Sequence, residues 1–518
     1  MDIELQKELV SLSSKIGDTS IETVVEADII VPDTKPDIGK ILQVDAIAKV
    51  TGSEVQNERM LVYGDVTYQI LYMPDSEESG LRNITAQSTF TDIAEMKGIA
   101  PEMRGSVGCD VTSVEFKVLN GRKLAVKSIV GIDATVYQDT QTEVVTGVAS
   151  DDLEILQKEI AFLKVHKICD KGFSVSDKLI IPTGSPSARE ILKIDGKIAD
   201  KAVKVINNKV IVKGDLSLIT LYTDEGDESI RTMNNVIPFT EILEIDGINS
   251  DWTSYTNLDI AGIHWSHETD EDGEGRIINV DVSVASKVVF AQNVELNTVC
   301  DCYSLSGNAD ATLKRAVLEK KIGDFSNQVS LKDKIYIGDD CPRIGQIYNV
   351  VSKAYVDELN IEDNRVIVKG VADTYLLYLA DDPSTPIYSV KKELPFTEII
   401  ECAGVTPGME CDLDAQVTSV SYTLDDHNSA EIRCNVSLDG FVTAKVSETV
   451  ITDISVSEKD ESQEKPSSIT VYFVQDQDSL WDIAKKYATT MDSILEVNGI
   501  AAGAPLAGRQ LIIPKYKQ

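Results

Sequence analysis

Fixed intervals recur three times along this chain, and they constrain its fold more than any single motif. A proline precedes a glycine by 28 positions at Pro36 and Gly64, Pro186 and Gly214, and Pro342 and Gly370. Eight residues after each glycine stands a tyrosine: Tyr72, Tyr222 and Tyr378. A Phe-Thr-acid-Ile signature follows at Phe90 to Ile93, Phe239 to Ile242 and Phe396 to Ile399. Another apolar run begins 21 residues beyond each phenylalanine, at Val111, Ile260 and Val417. A degenerate repeat of roughly 150 residues, present in three copies, is the reading that accounts for all of these spacings.

Each copy reads as mostly strand. Val62, Gly64, Val66, Tyr68, Ile70 and Tyr72 alternate with more polar neighbours, the period of two expected of a sheet with one buried face. Asn207-Asn208 and Asn120-Gly121 mark hairpin turns. Several short strands at this spacing predict a mainly β chain with one sandwich or barrel-like domain per copy. The recurring glycine marks a bulge or a close backbone approach, and the recurring Phe and Tyr read as core. Three segments have helix-compatible apolar spacing: 1–16 (Ile3, Leu5, Leu9, Val10, Leu12), 151–162 and 309–321. The expected domains are therefore 1–150 with an N-terminal helix, 151–305 and 306–456, followed by 457–468 and 469–518.

At 518 residues with 42% hydrophobic and 26% charged content, the chain is ordinary soluble protein, too long for one core. No apolar run reaches the roughly 18 residues of a membrane-spanning helix. Residues 1–18 mix acids and bases without an apolar centre, so no export signal is expected. A net charge of −36 argues against nucleic acid and anionic lipid as partners. The eight cysteines lack C-x-x-C pairs and regular spacing, which predicts neither a zinc site nor a disulfide framework. Residues 457–468 contain no apolar side chain and read as a disordered, self-repelling linker.

Beyond the linker the pattern is strand, helix, helix, strand. Leu480, Ile483, Ala484 and Tyr487 share one helical face with Asp478 or Ser479 as its cap. Thr490 caps a second helix that stops at Asn498-Gly499. Tyr472-x-Val474, Asp478-Ser479-Leu480-Trp481-x-Ile483-Ala484, Tyr487, Ile494, Asn498, Leu506-x-Gly508 and Leu511-x-Ile513-Pro514 make this βααβ module resemble a LysM domain. The resemblance implies a groove for N-acetylglucosamine polymers between the loops 475–480 and 498–502. The candidate groove residues are Gln477, Asp478, Ser479, Leu480, Trp481, Asn498, Gly499 and Ile500. Gln477 stands where a glycine is usual, and Gly499-Ile500-Ala501-Ala502 offers few polar side chains. Both departures suit a protein partner better than a sugar.

Other constellations are weak. Glu268, Asp270, Asp272 and Gly273 match the first positions of a calcium loop, but position twelve is Asn279 and the flanks read as strand. An acidic hairpin tip is the better reading. His264 and His267 would face opposite sides of a strand. No nucleophile elbow, phosphate loop or dinucleotide motif is present, so no catalytic residue, metal or cofactor is assigned and no enzyme is expected. Taken together, the three repeats and the LysM module resemble the SipL family of spore-coat proteins, whose repeats are SPOCS domains. That resemblance implies a structural adaptor in the mother-cell cytoplasm at the forespore surface, incorporated in the spore coat. It also implies docking to the coat ATPase, stage IV sporulation protein A, and contact with other coat proteins. The alternatives are a cortex-binding protein that holds peptidoglycan through LysM, and a peptidoglycan hydrolase with a divergent repeat.

Overall fold

The computed structural model describes residues 4–75, 80–227, 229–250, 252–338, 341–382, 386–458 and 470–515. The first repeat comprises β1 (Glu4–Ile30), β2 (Ile38–Gln56), β3 (Arg59–Pro74), β4 (Arg82–Glu95), β5 (Arg104–Asn120) and β6 (Lys123–Ala149). They form two antiparallel three-stranded sheets, in the orders β1-β6-β5 and β2-β3-β4. The second repeat is β7 (Leu153–Ile180), β8 (Ala188–Ile206), β9 (Lys209–Asp224), β10 (Ile230–Glu244), β11 (Thr253–Thr269) and β12 (Gly275–Ser304). The third is β13 (Asn308–Tyr336), β14 (Ile344–Glu362), β15 (Arg365–Ala380), β16 (Ile387–Glu401), β17 (Glu410–Asp426) and β18 (Ser429–Ser457). Both later repeats have the same sheet orders as the first. A terminal module follows, with β19 (Thr470–Phe473), α1 (Leu480–Tyr487), α2 (Met491–Asn498) and β20 (Gln510–Ile513). The chain is thus mainly β, and the expected linker 457–468 lies for the most part outside the described residues.

The invariant spacings have direct physical causes. The tyrosine hydroxyls donate to the proline carbonyls of their own repeat: Tyr72 to Pro36 at 2.9 Å, Tyr222 to Pro186 at 3.3 Å and Tyr378 to Pro342 at 2.7 Å. A buried phenol needs such a partner, and this one pins the loop that enters the second sheet. Each glycine faces the signature phenylalanine across the ladder, as Gly64 with Phe90, Gly214 with Phe239 and Gly370 with Phe396. The ring lies over the space a side chain would occupy: a Cβ on Gly214 would come within 2.9 Å of Phe239 Cζ, and one on Gly370 within 2.7 Å of Phe396 Cζ. The expected bulge is present, but in the neighbouring strand opposite the glycine, between Val50 and Gly52, Ala199 and Ala202, and Val356 and Glu358.

Of the segments expected to be helical, 4–16, 153–162 and 309–321 are strand. β1 pairs with β6 from Glu4 to Ile30, β7 with β12 and β13 with β18 over similar lengths. The outer halves of these pairs extend past the sandwiches as two-stranded arms, and the arms pack on one another. Val145, Val299 and Ile451, each just before a bulge, meet in one apolar cluster. Val10, Ile160 and Leu318 meet in another. Full backbone pairing along the arm and burial against two other arms outweigh the local helical spacing.

The opposite end of the molecule shows the same pseudo-threefold relation. Leu71, Leu221 and Leu377, each preceding its conserved-interval tyrosine, share a cluster with Leu42, Leu192 and Tyr348. The latter three are the residues skipped by a second bulge in β2, β8 and β14. The bulge turns them from their own sandwich towards the other repeats. Beside them Lys193, almost fully buried, binds Asp45 of the first repeat at 2.6 Å and Asp195 at 3.0 Å. Asp195 in turn accepts from Tyr348 at 3.4 Å and Asn349 at 3.3 Å in the third. Burial alone would lower the Lys193 pKa; Asp195 and Asp45 outweigh it and raise it.

Between the second and third repeats, burial pushes Asp414 up to about 6; Lys201 and Lys287 oppose that rise, while Asp259 and Asp439 reinforce it. An unfolded Asp titrates near 3.9. The folded state therefore holds a proton that the unfolded state releases between those values, and stability falls as pH rises through that window. Asp414→Asn is expected to raise the denaturation midpoint at pH 7.5 more than at pH 4.5. A separate test concerns the glycine under its phenylalanine. Gly370→Ala should cost about 1–3 kcal/mol in urea unfolding, because the new methyl meets both the Phe396 ring and the Tyr355 carbonyl.

Candidate functional site

The terminal module is built around two short helices with explicit caps. The Ser479 Oγ accepts from Asp482 N at 3.0 Å and donates to the Asp482 carboxylate at 2.6 Å, so Ser479 rather than Asp478 starts α1. Thr490 caps α2 by accepting from Ser493 N at 3.0 Å. Gly499 ends that helix with φ +62°, a left-handed conformation that favours glycine. β19 and β20 pair antiparallel from Thr470–Ile513 to Phe473–Gln510.

The candidate groove residues divide into two groups. Asp478 accepts from Gln475 N at 2.9 Å and from the Tyr472 hydroxyl at 2.8 Å, and these bonds hold its carboxyl below the usual range. It braces the β19–α1 loop from within. Asn498 donates to the Ile494 and Ile512 carbonyls at 2.8 and 2.7 Å and accepts from Ile512 N at 2.8 Å, which ties α2 to β20. Leu480 is half-buried against the core and Trp481 is 6% exposed. Ile500 likewise leans on the core instead of projecting from its loop. Only Gln477, Ser479 and Gly499 of the eight are exposed, joined by Ala501 and Ala502 in the second loop.

Sequence reasoning missed where Trp481 points. Its indole Nε1 donates to Asp301 of β12 at 2.8 Å, and its ring meets Tyr303 edge-on at 4.9 Å between centroids. Asp301 and Tyr303 sit on one face of a strand, two residues apart. A comparison of the three copies at these positions, rather than a motif, would have singled them out.

The discounted constellations have structural roles. The Asp270 carboxylate accepts from Asp272 N and Glu274 N, both at 3.0 Å, and lies 3.8 Å from Arg276. It closes the β11–β12 turn. His264 pairs with Asp281 and His267 with Ile278, an odd spacing that sends them to opposite faces. Among the described residues no group of His, Cys, Asp and Glu is arranged to hold a metal, and no helix is long and apolar enough to cross a membrane.

Residues 37–119, 187–267 and 343–425 match the family model described as SipL, SPOCS domain, and residues 472–514 match the LysM domain. The chain is a SipL-type protein. Each SPOCS match spans the second to fifth strands of a repeat, and the long first and sixth strands that make the arms fall outside it. No curated protein and no solved structure matches the chain. The domain content marks a sporulation-related protein that bears LysM. Within that LysM domain Asn498→Ala should raise amide exchange throughout 491–513 of the full-length SipL-type protein, since it leaves three backbone groups to find new partners; the expected local cost is about 2 kcal/mol.

Proposed function

We propose that this SipL-type protein is a non-enzymatic structural adaptor of the spore coat. In this reading it works in the mother-cell cytoplasm at the forespore surface and docks a coat ATPase like stage IV sporulation protein A through LysM. The observation that carries the docking reading is the chemistry of the exposed loop surface. Asp478 and Asn498, two of the polar candidates of the groove, direct their side chains into the domain. What remains outside is Gln477, Ser479 and the stretch Gly499, Ala501 and Ala502, and the Ser479 hydroxyl is already donated to Asp482. A weakly polar surface of this kind suits a protein face better than a sugar, whose hydroxyls demand matched hydrogen-bonding groups.

The second reading, peptidoglycan binding, is favoured by the LysM match itself. Two substitutions separate them. Gln477→Arg and Ala502→Asp fall at exposed positions and should shift stability by about 0.5 kcal/mol or less. Each should weaken co-purification with the ATPase at least tenfold, because a new charge is buried in the interface. Unchanged ATPase binding by both folded variants would refute the docking reading. Loss of N-acetylglucosamine polymer binding in the same variants would put the peptidoglycan reading in its place.

A further inference from the structure

The LysM domain sits on the second repeat through contacts that neither of the other repeats can reproduce. The Asp301 carboxylate receives the Trp481 indole N–H at 2.8 Å and the Lys485 ammonium at 2.6 and 2.8 Å. The Tyr303 hydroxyl donates to the Thr489 carbonyl at 2.7 Å, at the turn between α1 and α2. Tyr303 and Leu305 belong to the same apolar cluster as Val474, Ile483 and Ile494 of the LysM core, with Leu156 packed alongside. Burial alone would raise the Asp301 pKa; the bonds from Lys485 and Trp481 outweigh it and lower it.

The equivalent residues in the other arms follow from the ladder. The bulged residues Thr146, Cys300 and Thr452 each precede the position in question, which is Gly147 in the first repeat, Asp301 in the second and Asp453 in the third. Two residues on stand Ala149, Tyr303 and Ser455. The first repeat lacks both the acid and the ring. The third has the acid without the ring, and Asp453 is already paired with Lys7 at 3.1 Å.

We propose that Asp301, Tyr303 and Leu305 form a dedicated binding surface for the protein's own LysM domain, which is thereby held on the second repeat as a fixed part of the body. The inference stands whatever ligand the LysM groove takes. The contact runs along α1 from Trp481 to Lys485 and takes in the α1–α2 turn at Thr489. Trp481, beside the loop 475–480, is therefore taken up by the second repeat, and the domain is held there in one orientation.

Hydrogen exchange and small-angle scattering on the full chain test this. Asp301→Ala with Tyr303→Ser gives the second repeat a small, ring-free surface like that of the first. Lys485→Glu opposes Asp301 from an exposed LysM position and leaves both cores untouched. Either variant should speed exchange of the 485–489 amides at least fivefold and enlarge the radius of gyration, with the circular dichroism spectrum unchanged. Combining Lys485→Glu with Asp301→Lys should recover at least half of the lost protection. Parent-like exchange and scattering in both variants would overturn the proposal, as would a parent chain whose 485–489 amides already exchange at the unprotected rate.

Discussion

The molecule depends on the pairing of its longest strands, β1 with β6, β7 with β12 and β13 with β18. A two-stranded ribbon has little stability in water by itself, and each arm projects beyond the sandwich that anchors it. Its apolar face is buried only where two other arms supply the cover, as at Val145, Val299 and Ile451. Tertiary structure therefore begins where the individual repeat ends. The sandwiches could form one by one around their own glycine, phenylalanine and tyrosine, but the arms require all three.

Polar chemistry then makes the assembly specific. Gln43, Lys193 and Asn349 occupy one equivalent position beside the bulged Leu42, Leu192 and Tyr348. A single lysine among these three meets Asp45 across the repeat boundary and Asp195 of its own strand. Asp110 is bound by Lys353 and by the Tyr355 hydroxyl, again across a boundary. Such unlike neighbours favour one arrangement of copies over any permutation of them, because a wrong neighbour leaves a buried charge unpaired. The excess of acid in the sequence appears here as carboxylates such as Asp259 and Glu319, whose burial raises their pKa.

Much of this was legible beforehand, and what was not has identifiable causes. The alternation along β3 and the turn at Asn207-Asn208 are local signals, and so are the caps Thr490 and Gly499; local backbone preference decides them. The interval from Pro36 to Tyr72 was visible as a number, whereas the hydrogen bond that explains it needed coordinates. The helical reading of 1–16 failed because Leu5, Leu9 and Val10 answer to distant strands instead of to one another. Ile500 and Trp481 were read as groove residues because the LysM pattern describes one domain alone. Ile500 is drawn into the core, and the second face that claims Trp481 belongs to β12, some 180 residues earlier.

The mutual packing of the arms ties the three copies together. In a solenoid each unit touches only its neighbours, so units can be gained or lost at little cost. Here each arm touches both others. Deleting one repeat would strip cover from the other two at once. The three copies therefore hold or fail together, and a change in one arm is felt by both of its partners.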